Sequence, residues 1–139
     1  MKKYTLDIDD EEETLFFGLL STEKVSRLAW LINRALEINL NRVDSIEWYN
    51  ESEKEYFYFV KFIYVDELNH LTFTLFANYD ESKILFTELR AMQYFMLIEG
   101  GLSFFDDKSF LKQVKNISEI QLISKVDQTR LKQKVNLIL

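Results

Sequence analysis

The chain predicts a single α+β domain over residues 1–139, in which a mainly antiparallel sheet carries two principal helices, 22–38 and 107–116. Three observations point there. β-rich runs follow one another at short spacing from Trp48 to Tyr79, which suits hairpins rather than helical crossovers. The clearest helical spacing of apolar residues falls in 22–38, with a second, shorter one in 107–116. Hydrophobic residues make up 47% of 139 residues and aromatics 15%, enough for the core of one domain.

Taken in order, Lys3 to Ile8 alternates, with Tyr4, Leu6 and Ile8 on one side, and predicts a strand. The run DDEEE, Asp9 to Glu13, reads as a solvated acidic loop, because a Ca²⁺ loop needs spaced oxygen ligands and a turn glycine. Leu15 to Leu20 predicts a second strand, interrupted by Gly18. Ser21 or Thr22 then suits a helix N-cap, and Val25, Leu28, Ala29, Ile32, Ala35 and Leu36 recur at helical spacing. Arg42 to Asn50 predicts a strand whose alternation of Val43, Ile46 and Trp48 is imperfect, and Glu51 to Lys54 a charged turn.

The hairpin Glu55 to Tyr79 is the expected centre of the sheet, its strands ending at Val65 and restarting at Leu71. With Val65 opposite Leu71, residues of like parity share a face. Phe57, Phe59, Ile63 and Val65 then join Leu71, Phe73 and Leu75 on the core side, and Tyr56, Tyr58, Val60, Phe62 and Tyr64 point the other way. In that register Lys61 falls on the core side opposite Leu75, an awkward place for a cation. Beyond the Asp80–Lys83 loop, residues 84–98 fit a helix (Leu85, Leu89, Met92, Met96) and, from Gln93, a buried strand equally well, and Gly100–Gly101 ends the segment. Asp106 or Asp107 suits the N-cap of the second helix, with Phe110, Leu111, Val114 and Ile117 on its apolar side. A strand with Ile120, Leu122, Ser124 and Val126 on one side follows, then a short helical turn capped by Asp127, and the apolar end Val135–Leu139 predicts a docked strand.

Composition removes whole classes of chemistry. The absence of cysteine excludes disulfides and thiolate sites, and a single histidine excludes multi-histidine metal sites within one chain. No apolar run approaches the ~18 residues of a membrane span, and the N-terminus has no apolar signal region. A cytoplasmic protein without a membrane partner or cofactor is the expectation. Net charge is −6: residues 1–70 hold 8 basic and 15 acidic side chains, residues 71–139 hold 9 and 8. Lys108, Lys112 and Lys115 recur at helical spacing and read as a solvated helix face, with weak nucleic-acid contact the alternative. The overall negative charge disfavours a nucleic-acid partner.

Two regions resemble the small bacterial proteins named for an I-P-E-x-x-x-V-D-Y pattern. Arg27, Leu28, Ala29, Trp30 and Asn33 match that family's R-L-A-aromatic-x-x-N helix. Asp127, Leu131, Lys132, Lys134, Asn136, Leu137 and Ile138 match its closing segment. At the naming pattern this chain reads Leu97 to Phe105, LIEGGLSFF, with Ile98 in place of proline and Ser103, Phe104 and Phe105 in place of V-D-Y. Glu99 is retained. The resemblance implies a cytoplasmic protein of the Bacteroidetes type and supplies no activity.

Candidate functional residues divide into two sets. Tyr56, Tyr58, Phe62 and Tyr64 form an outward hairpin face that is unusually apolar for solvent, and burial under a helix competes there with a homodimer or partner surface. Glu99, His70 and Glu67 are the candidates for acid–base work, Glu99 because the family pattern keeps an acid there and His70 because Asp66 and Glu67 lie beside it. No catalytic motif accompanies them. The expected function is a non-enzymatic binding or assembly module acting through the aromatic face, with a protein partner or a second copy. A small carboxylate enzyme, or a weak nucleic-acid binder through the basic C-terminal region, is the alternative.

Overall fold

A computed structural model describes residues 14–131. The strands expected at 3–8 and 135–139 and the acidic run at 9–13 lie outside them. β1 (Thr14–Leu20) leads to α1 (Val25–Leu36) and then to a meander of β2 (Asn41–Asn50), β3 (Glu55–Asp66) and β4 (Leu71–Ala77). A small hairpin, β5 (Tyr79–Asp80) and β6 (Lys83–Ile84), and a short 3₁₀ turn precede β7 (Tyr94–Gly100). α2 (Asp107–Lys115) and β8 (Leu122–Lys125) complete the described chain. The six long strands form one antiparallel sheet in the order β2-β3-β4-β7-β1-β8. The α+β class and the two helices are as the sequence predicts. Both helices are shorter than their expected spans, and the 84–98 ambiguity resolves into turns followed by a strand.

The centre of the sheet differs from expectation. β4 and β7 are its middle strands, and the β2–β3 hairpin lies at one edge. The register of the β3–β4 hairpin also differs by one residue. Asp66 pairs with Leu71 and Tyr64 with Phe73, so residues of opposite parity share a face. The reason is the turn. Asp66 Oδ1 accepts the Asn69 N–H at 3.2 Å, and His70 closes a four-residue loop in the left-handed conformation, φ 56°. A one-residue slip exchanges the faces of a whole strand. Phe62 therefore joins Phe73 and Leu75, whereas Phe57 and Phe59 belong to the opposite side with Phe76. Lys61 pairs with Phe76, not Leu75, on that second side. The β2–β3 turn repeats the device, with Asn50 Oδ1 accepting the Glu53 N–H at 2.9 Å and Lys54 at φ 56°.

Both faces of the sheet are covered at its middle. On one, Leu28, Ala29 and Ile32 of α1 and Phe110 and Val114 of α2 pack onto Phe17, Leu19, Phe62, Leu75 and Met96. α1 starts later than expected: Lys24 is its N-cap, without a side-chain bond. Ser21 is instead held by donating to the Glu119 carbonyl at 2.8 Å while accepting the Glu23 N–H. Asp106 caps α2 as predicted, accepting the Ser109 N–H at 3.0 Å. Asn33 bonds both backbone groups of Leu40, at 2.7 and 3.2 Å, and fixes the return into β2.

The other face is closed by the chain itself. Phe16, Phe76 and Phe95 are joined there by Leu85 and Phe86 from the segment between β4 and β7, with ring centroids 4.9 Å apart for Phe16–Phe95 and 5.5 Å for Phe86–Phe95. Asn78, fully buried, holds this segment. Its amide donates to the carbonyls of Leu89 and Met92 at 3.1 and 3.0 Å and, more weakly, to that of Phe86. Its oxygen accepts the Phe86 N–H at 2.7 Å. Phe76, which shares its face of β4 with Thr72 and Thr74, is a core residue of this second cluster. In β8 the buried residue is Ile123, and Leu122 is exposed, because Ile120 lies in a turn before the strand and does not share its alternation.

Candidate interaction surface

The helices cover only part of their side of the sheet. β2 and β3 run on past the end of β4, and there Glu47 pairs with Tyr58 and Tyr49 with Tyr56, all four on the helix-bearing side of the sheet but beyond the helices. Tyr56 and Tyr58 are each 51% exposed and Tyr49 is 44% exposed. Tyr49 and Tyr56 meet edge to face with centroids 5.0 Å apart. On the reverse of the same ribbon, Ile46 and Phe57 are buried and Trp48 is partly buried, so the hairpin is anchored by one side and presents tyrosines on the other.

The reach of the helices divides the predicted aromatic face. Tyr56 and Tyr58 are exposed as expected. Phe62, 8% exposed, is core beneath the helices. Tyr64 is half-buried, with its ring 5.9 Å from that of Phe73. Tyr49 and Glu47 complete the exposed group. Their place follows from the four-residue turn Glu51–Lys54, which sets Tyr49 opposite Tyr56.

β2 itself is an edge strand, bonded to β3 alone among the described strands. Its ladder shifts register between Val43 and Ile46, a bulge that accounts for the imperfect alternation in its sequence. Past the bulge the pairing is regular to Asn50. Carboxylates dominate here: Glu47, Glu51, Glu53 and Glu55 against Lys54, with Lys83 approaching Glu55 at 3.7 Å.

The acid–base candidates gather at the other end of the sheet. Glu99 pairs with Thr72 on one side and Thr14 on the other. Partial burial pushes its carboxyl above the ordinary glutamate value. Gly100, at φ 115°, pairs with Leu71, and the His70 carbonyl accepts the Gly101 N–H at 2.9 Å. Glu99 thus lies two positions along the β4–β7 ladder from His70, and Glu67 lies in the same exposed turn as His70. Glycine is required at position 100, since a side chain there would collide with the His70 carbonyl oxygen.

The remaining charged residues lie at the surface. Lys108, Lys112 and Lys115 are exposed on the outer side of α2. Arg27 pairs with Glu23 at 3.3 Å and Glu119 at 3.5 Å. The Glu119 carboxyl is lowered first by its own backbone N–H, then by the Ser118 hydroxyl, with Arg27 adding to both. Among the described residues no three or more His, Asp or Glu side chains group as metal ligands, and no helix is long and apolar enough to cross a membrane. Comparison with protein-family models, curated proteins and solved structures finds no match.

Proposed function

We propose that this chain is a non-enzymatic binding module whose contact surface is the tyrosine end of the β2–β3 hairpin. One observation carries the reading. Tyr49, Tyr56 and Tyr58 lie together and exposed on a ribbon whose reverse side is anchored in the core. Tyrosine supplies a large, stiff contact area and a polar tip, the residue character enriched in protein interfaces. The resemblance to the I-P-E-x-x-x-V-D-Y proteins, with the cytoplasmic setting it implies, belongs to the same proposal. Its support in the fold is the structural use of Leu28, Ala29 and Asn33.

Site-specific photo-crosslinking in the native host tests the reading. A benzophenone side chain in place of Tyr58 is expected to give discrete protein adducts. The same group in place of Leu122, exposed on the opposite edge strand, is expected to give none. Equal labelling from both positions, or none from Tyr58, would remove the proposal.

Glu99 favours a second reading, a carboxylate acting with His70 and Glu67. Its raised carboxyl and its place beside the His70 turn are the observations in favour. Turnover of any ester or glycoside panel member that disappears in Glu99→Gln, with the fold retained, would support it. No turnover across the panel would count against it.

A further inference from the structure

Among the described residues the outer side of β2 carries no strand, so it presents a sheet edge that an added strand can extend. Half of the strand is guarded. Arg42 and Asp44 lie near the bulge at Val43–Ile46, and a bulge with charges is a common way to blunt an edge. The half from Ile46 to Asn50 is different. It is regular, has no proline, carries Glu47 as its one charge, and is bordered by Tyr49, Tyr56 and Tyr58.

Charge decides what kind of strand fits. From Glu47 to Tyr58 the chain holds four carboxylates and one lysine. A two-fold pairing with a second copy would set this patch against itself, carboxylate to carboxylate. A basic strand would instead meet Glu47 and its neighbours, and its cations would find tyrosine ring faces within reach.

Resting on the interaction-surface reading above, we propose that the Ile46–Asn50 edge takes an extended basic segment of another protein as an additional strand. Its Lys or Arg side chains occupy alternate positions on the tyrosine side. Backbone pairing supplies the attachment, and the Glu47 and tyrosine side supplies the preference for cations.

NMR titration of the ¹⁵N-labelled chain with three short peptides tests this. One alternates Lys and Val, one alternates Glu and Val, and one is the Lys–Val peptide with N-methylated backbone amides. The first is expected to shift the amides of Ile46–Asn50 saturably and to weaken with added salt. The Glu peptide is expected to leave them unmoved, and the N-methylated peptide to lose most of the effect, since it keeps the charge but cannot pair as a strand. Glu47→Lys is expected to weaken the Lys–Val peptide roughly tenfold, and Glu47→Gln by less, with the dispersed spectrum of each variant showing that it folds.

Equal binding of the Lys and Glu peptides, undiminished binding of the N-methylated peptide, shifts that map elsewhere, or no shift at all would overturn the inference. So would shifts of the same amides on concentrating the protein alone, which would identify a second copy as the occupant. Adducts from position 58 together with silent peptides would remove the basic strand and leave the interaction surface standing. Silence in both experiments would remove both.

Discussion

Replacing Asn78 with Ala is expected to cost about 3–5 kcal/mol of unfolding free energy. The side chain is fully buried, and its amide serves one backbone N–H and three carbonyls in the segment that closes the second face. A buried group that loses its only partner costs about 1–3 kcal/mol. The Phe86 N–H, bonded at 2.7 Å, is a close, buried contact and lies toward the upper part of that range. The Met92 carbonyl lies toward the lower part, because a carbonyl keeps a second lone pair, and the Leu89 carbonyl adds less, because it still accepts the Met92 N–H at 3.0 Å. The long bond to Phe86 O, 3.4 Å, adds little. The total approaches the lower end of the stability of an ordinary domain, about 5–15 kcal/mol. Urea unfolding followed by fluorescence measures it. Asn78→Asp is the informative companion, since it retains the acceptor for Phe86 N–H but turns an oxygen toward the carbonyls. The introduced carboxyl must hold its proton to fit, so its folded pKa lies above its unfolded one. That variant is expected to regain stability as pH falls and to lose it as pH rises through the raised value. A loss below about 1 kcal/mol for Asn78→Ala would refute the account of Asn78 as the anchor of the second face.

Three further outcomes follow from the same contacts. Gly100→Ala places a Cβ 2.0 Å from the His70 carbonyl oxygen at φ 115°; it is expected to cost upwards of about 2 kcal/mol in denaturant unfolding, and a near-neutral result would contradict the close approach of β4 and β7. Tyr94→Phe removes a 2.6 Å bond to the Glu23 carbonyl, and is expected to lower stability by about 1 kcal/mol and to lower the melting temperature accordingly. Glu99 titrates higher when folded than when unfolded, so its contribution is fully present below the unfolded carboxylate range and is lost as pH rises through the folded value. Glu99→Gln is therefore expected to gain on the native chain in melting temperature between acid and neutral pH. A loss at neutral pH would show that the carboxylate is paired, not penalised.

The class of fold was legible because periodicity carries it: α1 and β4 alternate as helix and strand must. Register was not, because it depends on one backbone angle. His70 adopts the left-handed conformation that shortens the β3–β4 loop. Histidine is among the residues enriched in that region, so the signal was present but weak against Asn, Asp or Gly at other turn positions. Phe62 and Tyr64 leave the candidate surface because they lie on the part of that face that packs into the core under the helices. β2 hid its alternation behind the bulge. Residues 84–92 imitate a helix because Leu85, Leu89 and Met92 are spaced by wrapping around Asn78, a long-range arrangement that local spacing cannot express. Tyr49 could have been found, since the Glu51–Lys54 turn already sets it against Tyr56. Glu99 was chosen by resemblance, and its partial burial between Thr72 and Thr14 became visible only once β1, β4 and β7 were neighbours.

The central claim is that Tyr56 and Tyr58 are uncovered in the isolated chain and covered when the protein works. Hydroxyl-radical footprinting, read by mass spectrometry on the purified protein and in cells making it at native level, tests this directly. Tyr56 and Tyr58 are predicted to be modified readily in the purified protein and to be protected in cells, while exposed Leu122 changes little between the two. Equal modification of both tyrosines in cells and in isolation would contradict the claim.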